Sequence, residues 1–234
     1  MPDAVPPLAE MIQRALARDS ERPAIEFEGR WYNWGDLRRD ADRLSALLDA
    51  SGIAADAPVA FVPRNRPSSI AALLGLLATK RTVRMIYAFQ SAEAIAREIA
   101  RLEAAAVVLD SVDLSDPVVA MLQANGLAGI VLSEGKVEAI AGAEFAGQHA
   151  KCCKGPDEPL IEILTSGTTG PPKQFPIRHR MIAENMVGAA VLEPHAQDAA
   201  AALAPYLLYF PLGNISGIYS TIPTLIKGQR ACLL

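Results

Sequence analysis

The residues best equipped for chemistry stand together in Thr165-Ser166-Gly167-Thr168-Thr169-Gly170-Pro171-Pro172-Lys173. Hydroxyl and glycine residues in unbroken succession, closed by two prolines and a lysine, make a poor helix or strand and a good anion-binding loop. Glycine lets successive backbone N–H groups converge on one oxyanion with no Cβ in the way, and Ser and Thr hydroxyls add donors that rotate to suit. Lys173 adds a mobile positive charge suited to a phosphate group. The same composition also fits a Gly-Thr-rich surface turn with a solvated lysine, so the surroundings must decide. A nucleotide-kinase loop is excluded by spacing, because that motif sets four residues between its glycines and then Gly-Lys-Ser/Thr at a helix start. Here Lys173 follows two prolines and precedes Gln174-Phe175-Pro176, which leaves no helix start with free N–H groups.

Something rigid must present this loop. Pro159-Leu160-Ile161-Glu162-Ile163-Leu164 reads as a short strand that carries the hydroxyls to its end. Earlier in the chain, strands are expected over 58–62, 82–86, 105–109 and 129–132, separated by helices over 68–78, 91–102 and 115–123. Short apolar strands alternating with helices of about ten residues predict an α/β fold: a mostly parallel βαβ sheet flanked by helices on both faces. In such sheets ligands sit beyond the carboxyl ends of the strands, where the Thr165 loop is expected. Ahead of this lie a helix carrying Leu8, Met11, Ile12, Ala15 and Leu16, and a hairpin from Ala24–Glu28 through Gly29 to Trp31-Tyr32. A helix capped by Asn33, with Asp36 in its first turn, then runs to Gly52. Trp31 and Trp34 read as packing groups, and the basic run Lys80-Arg81-Thr82-Val83-Arg84 as a solvated approach to a strand. Val137–Ile140 is a further strand, and 141–159 a surface connection. Beyond the loop the pattern predicts a helix over 181–192 stopped by Pro194, a strand over 203–210, a helix over 216–227 ended by Gly228, and a strand over 230–234.

The order Thr-Ser-Gly-Thr-Thr-Gly-x-Pro-Lys closely resembles the adenylate-forming superfamily of acyl-CoA synthetases, nonribosomal-peptide adenylation domains and luciferases. Three further stretches are similar to that family: Glu28-Gly29-Arg30-Trp31-Tyr32-Asn33-Trp34-Gly35-Asp36-Leu37, Ile177-Arg178-His179-Arg180-Met181-Ile182, and Phe210-Pro211-Leu212-Gly213-Asn214-Ile215-Ser216-Gly217. The resemblance runs from about residue 20 to the last residue. It is strongest to AMP-binding carboxylate–CoA ligases, in which a carboxylate attacks the α-phosphate of ATP to give an acyl-adenylate and pyrophosphate, before a thiol takes the acyl group. It implies that Thr165, Ser166, Gly167, Thr168, Thr169, Gly170 and Lys173 hold the ATP phosphates. Mg²⁺ would ride on the nucleotide, with no metal site of the protein's own, and CoA would be the second substrate. His179, Gly213 and Asn214 are expected at the substrate pocket. At position 214 the family commonly carries histidine or another aromatic residue, and Gly213 stands where a bulky residue is usual, which implies a roomier or more polar acyl tunnel. Plainer roles for these residues are a capping or water-facing His179 and an Asn214 that caps the helix after it.

The resemblance also implies a division: residues 1–155 as the first α/β part of an N-terminal domain, and 156–234 as a segment starting with the phosphate loop and continuing into an incomplete α/β part. The family's aromatic-Gly-x-Thr-Glu segment, ribose-binding aspartate, hinge residue and C-terminal lysine have no counterpart in these 234 residues. The expectation is an N-terminal fragment of an ATP-dependent acyl-CoA synthetase, an acid–thiol ligase, whose C-terminal domain is absent and which is catalytically incomplete by itself. Two alternatives are a ligase loading a carrier-protein thiol and a non-catalytic phosphate-binding or interaction module of the same fold. Composition agrees with a globular protein: 51% of residues are apolar and 21% charged, and 22 basic against 26 acidic residues leave a net charge of −4. That balance supplies no general attraction for nucleic acid or anionic lipid. No apolar run reaches the roughly 18 residues of a membrane span, and the acidic start is unlike a secretory signal. Cys152, Cys153 and Cys232 show no Cys-x-x-Cys spacing and suit a reducing compartment, so the expected location is cytoplasmic. The resemblance implies a small carboxylic acid, ATP and CoA as partners.

Overall fold

In this computed structural model the described residues are 5–146, 158–165, 173–188 and 194–234. The chain opens with α1 (Leu8–Leu16), whose Leu8, Met11, Ile12, Ala15 and Leu16 are buried at helical spacing. A hairpin follows, β1 (Pro23–Phe27) and β2 (Arg30–Asn33), turning on two residues with positive φ, Glu28 at 53° and Gly29 at 80°. That two-residue geometry matches the right-handed twist of the strands it joins. α2 (Trp34–Ala50) starts where the Asp36 carboxylate accepts from the Asn33 N–H at 3.0 Å, satisfying one of the open donors of a helix start.

The main sheet is built from β3 (Val59–Val62), β4 (Val83–Met85), β5 (Ala106–Asp110), β6 (Ala128–Ser133), β7 (Lys136–Ala139), β8 (Leu160–Thr165) and β9 (Lys173–Arg178), in the order β7-β6-β5-β3-β4-β8-β9. The five inner strands are parallel, and β7 and β9 close the two edges antiparallel. Side chains along β3 and β5 alternate between two cores. Val59, Phe61, Ala106 and Val108 join α1, α2 and α3 (Pro67–Ala78), whereas Ala60, Val62, Val107 and Leu109 join α4 (Ala92–Arg101) and α5 (Asp116–Ala124) through Ile95, Ile99, Val118 and Leu122. Helices thus cover both faces, as the alternation predicts. α3 has α1 and α2 on its outer side, so all of its twelve residues are buried. Gly75 permits the crossing with α2, because a Cβ there would lie 3.1 Å from Ala41 backbone atoms.

A second sheet was not anticipated. β10 (Tyr206–Leu208), β11 (Ala231–Leu233), β1 and β2 form a four-stranded sheet in that order, with Ile25 opposite Ala231. Sequence-distant strands pair here because the helix between β10 and β11, α8 (Ile215–Lys227), seats its buried face on α1. Arg18 secures the joint: its guanidinium donates to the Leu225 and Ile226 carbonyls at 2.8 and 2.6 Å and stacks over Trp34 at 4.7 Å. Burial lowers the Arg18 pKa to about 10, which leaves it charged at neutral pH. Gly228, in the left-handed region at φ 84°, ends α8 as expected. Stretches on either side of residue 155 are interleaved, since each contributes strands to both sheets.

Several expectations are corrected. Of the basic run only Lys80 is exposed: Arg81 is 2% exposed and donates to the Ala54 carbonyl at 2.7 Å, and burial lowers its pKa. Arg84 pairs with Glu162 at 2.7 Å on the neighbouring strand in register, both side chains 12% exposed. β9 is a strand that the run of prolines concealed; Pro176 is tolerated because β9 lies at the sheet edge, where one ladder of donors is not needed. The helix expected over 181–192 is a single turn, α6 (His179–Ile182), continued by a π-helical turn Ala183–Val187, and its final residues lie outside the described ones. Pro194, read as a helix stop, is the first residue of α7 (Pro194–Ala202), a position where its missing N–H costs nothing. The strand expected over 203–210 is only the three residues of β10. No described helix is long and apolar enough to cross a membrane.

Candidate functional site at the carboxyl edge of the sheet

The two helices that follow β3 and β4 part company. α3 leaves β3 for one face and α4 leaves β4 for the other, so the neighbouring carboxyl ends of β3 and β4 open a crevice between their loops. This is the topological switch point at which doubly wound sheets take ligands. β8 lies parallel to β4 on its other side, with Arg84 opposite Glu162. Thr165 therefore leaves the sheet at the same edge, one strand from the crevice. In the β8–β9 hairpin it stands opposite Lys173, so both ends of the hydroxyl-and-glycine loop are held side by side there. Ser166, Gly167, Thr168, Thr169 and Gly170 lie outside the described residues.

Gly213 closes over the crevice. A Cβ at Gly213 would meet Pro63 Cγ at 3.4 Å, beyond the end of β3, and the Ile86 carbonyl at 3.7 Å, beyond the end of β4. These are ordinary contacts, and Gly213 is not in the left-handed region. Backbone geometry does not require glycine at this position, so the missing side chain leaves space at the mouth. Asn214 holds the N-cap position of α8, exposed, with no capping bond from its side chain; its N–H donates to the Pro211 carbonyl at 3.0 Å. Gly217 is required by crowding, because a Cβ there would lie 2.1 Å from that same carbonyl oxygen.

Around the crevice stand residues that the sequence reading missed. Arg64 grips Asp113 through Nε at 2.9 Å and Nη2 at 2.5 Å, donates to the Ala88 carbonyl at 2.9 Å, and stacks on Phe89 at 4.8 Å. One guanidinium thus pins the loop after β4 to the turn after β5, and Asp113 raises the Arg64 pKa. Arg66 lies 3.6 Å from the fully buried Asp110. Asn65 bonds to the segment carrying Gly213. The available signal was the dense polar stretch Arg64-Asn65-Arg66 directly after an apolar strand, together with Asp110 and Asp113 directly after another. Tyr87 and Phe89 stay substantially exposed at the same edge.

His179 is elsewhere. β9 runs back antiparallel to β8, and the His179 N–H donates to the Pro159 carbonyl at 3.3 Å. Six strand residues separate it from the loop, about 20 Å at strand rise, so the structure does not bring it to the crevice. Its side chain is buried, Nε2 has no hydrogen-bond partner among the described residues, and burial pushes its pKa down to about 4. It borders a separate cavity of about 300 Å³ walled by Pro6, Pro7, Leu8, Lys80 and Ala183.

A mostly parallel sheet with helices on both faces defines a doubly wound α/β protein, a class that takes ligands at the carboxyl edge of its sheet. The chain belongs to the AMP-binding enzyme family, which it matches over residues 12–234. It is 28% identical over 180 residues to the medium/long-chain-fatty-acid–CoA ligase FadD6 of Mycobacterium tuberculosis, covering 76% of this chain and 30% of that protein. It is 27% identical over 172 residues to a D-alanine–D-alanyl carrier protein ligase of Streptococcus pyogenes, covering 74% and 32%. The chain spans about a third of the length of these curated relatives. Its fold is that of the ATP-bound MatB of Rhodopseudomonas palustris, with a TM-score of 0.68 and 20% identity over 97% of this chain and 45% of that one. VinN in complex with 3-methylaspartate is similar at a TM-score of 0.68 and 15% identity, over 100% and 63%. The expected fold of an adenylate-forming N-terminal domain is thereby met.

Proposed function

We propose that this chain is the phosphate-binding and acid-facing portion of an ATP-dependent carboxylate ligase of the acyl-CoA synthetase kind. The observation that carries the reading is the placement of Thr165 and Lys173 opposite each other at the carboxyl end of β8, one strand from the crevice that Gly213 covers. Loop N–H groups, the Thr165, Ser166, Thr168 and Thr169 hydroxyls and Lys173 would neutralise the β- and γ-phosphates, with Mg²⁺ on the nucleotide. A carboxylate oxygen forms its bond to the α-phosphorus as the bond to the bridging oxygen breaks, and pyrophosphate leaves carrying the electron pair. The protein's part is positioning and electrostatic stabilisation, where one oxyanion donor is typically worth about 3 kcal/mol. Gly213 and Asn214 would border the acid, and His179, at the far end of the sheet, would serve stability instead. CoA is the favoured thiol, on the resemblance to carboxylate–CoA ligases and on the fatty-acid–CoA ligase among the relatives; the carrier-protein ligase among them keeps a carrier thiol as the alternative. In this reading residues 156–234 begin the phosphate-handling part, and the protein works in the cytoplasm.

The direct test is thermal unfolding with pyrophosphate. At ten times its Kd, pyrophosphate should stabilise the chain by about 1.4 kcal/mol, a rise in Tm of roughly 3–6 °C. Lys173→Ala should abolish that rise. No rise in the unsubstituted chain at millimolar pyrophosphate would sink the proposal. These 234 residues alone should show no acid-dependent ATP–pyrophosphate exchange, and exchange above the Lys173→Ala background would refute their incompleteness.

A further inference from the structure

We infer that Asn65 is the positioning residue for the segment that closes the crevice, holding Phe210–Asn214 against the carboxyl end of β3. The inference rests on reading that crevice as the acid's entrance, and extends it to a residue that none of the four motif stretches quoted above contains.

Asn65 Oδ1 accepts from the Leu212 N–H at 2.9 Å, and Nδ2 donates to the Phe210 carbonyl at 3.2 Å and, at longer range, to the Leu234 carbonyl at 3.4 Å. The partners fix which way the amide points, since an N–H must meet the oxygen and a carbonyl must meet the nitrogen. One short side chain therefore ties the end of β3 to the exits of both β10 and β11, and so joins the two sheets at their ligand-facing edge. Among the described residues the segment between β10 and α8 has little else to hold it. Its internal bond is Asn214 N–H to the Pro211 carbonyl, and Leu212 is its buried apolar anchor. Tyr209 is exposed, and Gly213 offers no side chain with which to grip.

The base of the tie is rigid. The Arg64 N–H donates to Ser69 Oγ at 3.1 Å, the Arg66 N–H to the Arg64 carbonyl at 2.8 Å, and the Arg64 guanidinium is locked on Asp113. A carbonyl or an amide at 210–212 that loses Asn65 has no other side chain bonded to it among the described residues. The distance from Gly213 to Pro63 and Ile86, and with it the width of the mouth, is therefore set by Asn65. The Leu212 N–H needs an acceptor: leucine offers none, whereas aspartate keeps the acceptor and loses both donors.

The test uses the 234-residue chain and two variants, Asn65→Leu and Asn65→Asp, followed by residue-resolved amide hydrogen exchange with pyrophosphate-induced Tm shifts measured in parallel. In Asn65→Leu the Leu212 amide should exchange about tenfold faster or more, while amides of β3 and of central α8 stay within about threefold of the unsubstituted chain. Asn65→Asp, which retains the acceptor, should restore Leu212 protection. Both variants should keep the pyrophosphate response, because among the described residues Asn65 bonds to Phe210, Leu212 and Leu234 and to neither β8 nor β9. An unchanged Leu212 amide in Asn65→Leu, a failure of Asn65→Asp to restore it, or a uniform acceleration across both sheets would overturn the inference. Absence of a pyrophosphate response from the unsubstituted chain would count against the proposed function, and the Leu212 exchange rate would still decide the role of Asn65.

Discussion

Acid should unfold this protein partly through one imidazole. His179 is buried at the end of the sheet remote from the crevice, with Nε2 unpartnered among the described residues and its pKa pushed down from 6.5 to about 4 by burial. In the unfolded chain the imidazole takes a proton near pH 6.5, whereas in the folded protein it resists until about pH 4. Between those values the unfolded state binds more protons, so stability falls as pH falls. At 1.36 kcal/mol per pH unit, the loss across the window is about 3 kcal/mol, a large share of the 5–15 kcal/mol of a typical domain. Above pH 6.5 the group is neutral in both states and contributes no pH dependence. The perturbation is His179→Leu, which removes the titration together with an unsatisfied buried nitrogen, and at pH 7 should alter stability by no more than about 1 kcal/mol in either direction. The assay is urea unfolding of both proteins at intervals from pH 7 to pH 4, read as the difference between them so that carboxylate titrations common to both cancel. The two curves should converge or cross as pH falls, the leucine variant being favoured by about 3 kcal/mol at pH 4 relative to the difference at pH 7. Parallel curves would refute a neutral buried imidazole. Loss of the pyrophosphate response in His179→Leu would place His179 at the ligand site and refute its assignment to the opposite end.

Gly217→Ala forces a Cβ to within 2.1 Å of the Pro211 carbonyl oxygen; since the Cβ has no torsion by which to move and the oxygen belongs to backbone, the α8 start must shift, and the urea midpoint should report a loss of about 2 kcal/mol or more. Gly213→Ala meets ordinary contacts only, so its stability should stay within about 0.5 kcal/mol of the unsubstituted chain, and a larger loss would show that the mouth has no spare room. Arg84→Met leaves Glu162 uncompensated between β4 and β8 and should cost about 3–5 kcal/mol, whereas the double substitution Arg84→Met with Glu162→Met should recover most of it. A double variant no more stable than Arg84→Met would mean that the arginine's packing, and not the pairing of charges, holds those strands.

How far the fold was legible in the chain depends on how local its causes are. The helices of the βαβ run, the β1–β2 hairpin and the Gly228 stop were readable because apolar spacing, turn residues and caps act within a few positions of themselves. The strand that leads to the hydroxyl-and-glycine stretch was readable for the same reason, and β8 does end at Thr165. β9 escaped because edge strands tolerate prolines that would disqualify a central one. Arg81 and Arg84 looked solvated because nothing near them in sequence says that Ala54 carbonyl oxygen and Glu162 arrive as partners. His179 was misplaced because an antiparallel return strand, itself unseen, carries it to the far end of the sheet.

From residue types and their spacing alone came an alternating α/β architecture and the expectation of a phosphate-binding loop, since both are written in neighbours along the chain. Which strands lie side by side came only with packing: the early hairpin pairs with β11 some two hundred residues later, and β3 and β4 send their helices to opposite faces. The crevice, the tie made by Asn65 and the seclusion of His179 all follow from that choice of neighbours. Burial of apolar faces against one another makes it for the whole molecule at once, and no single stretch of sequence holds the information.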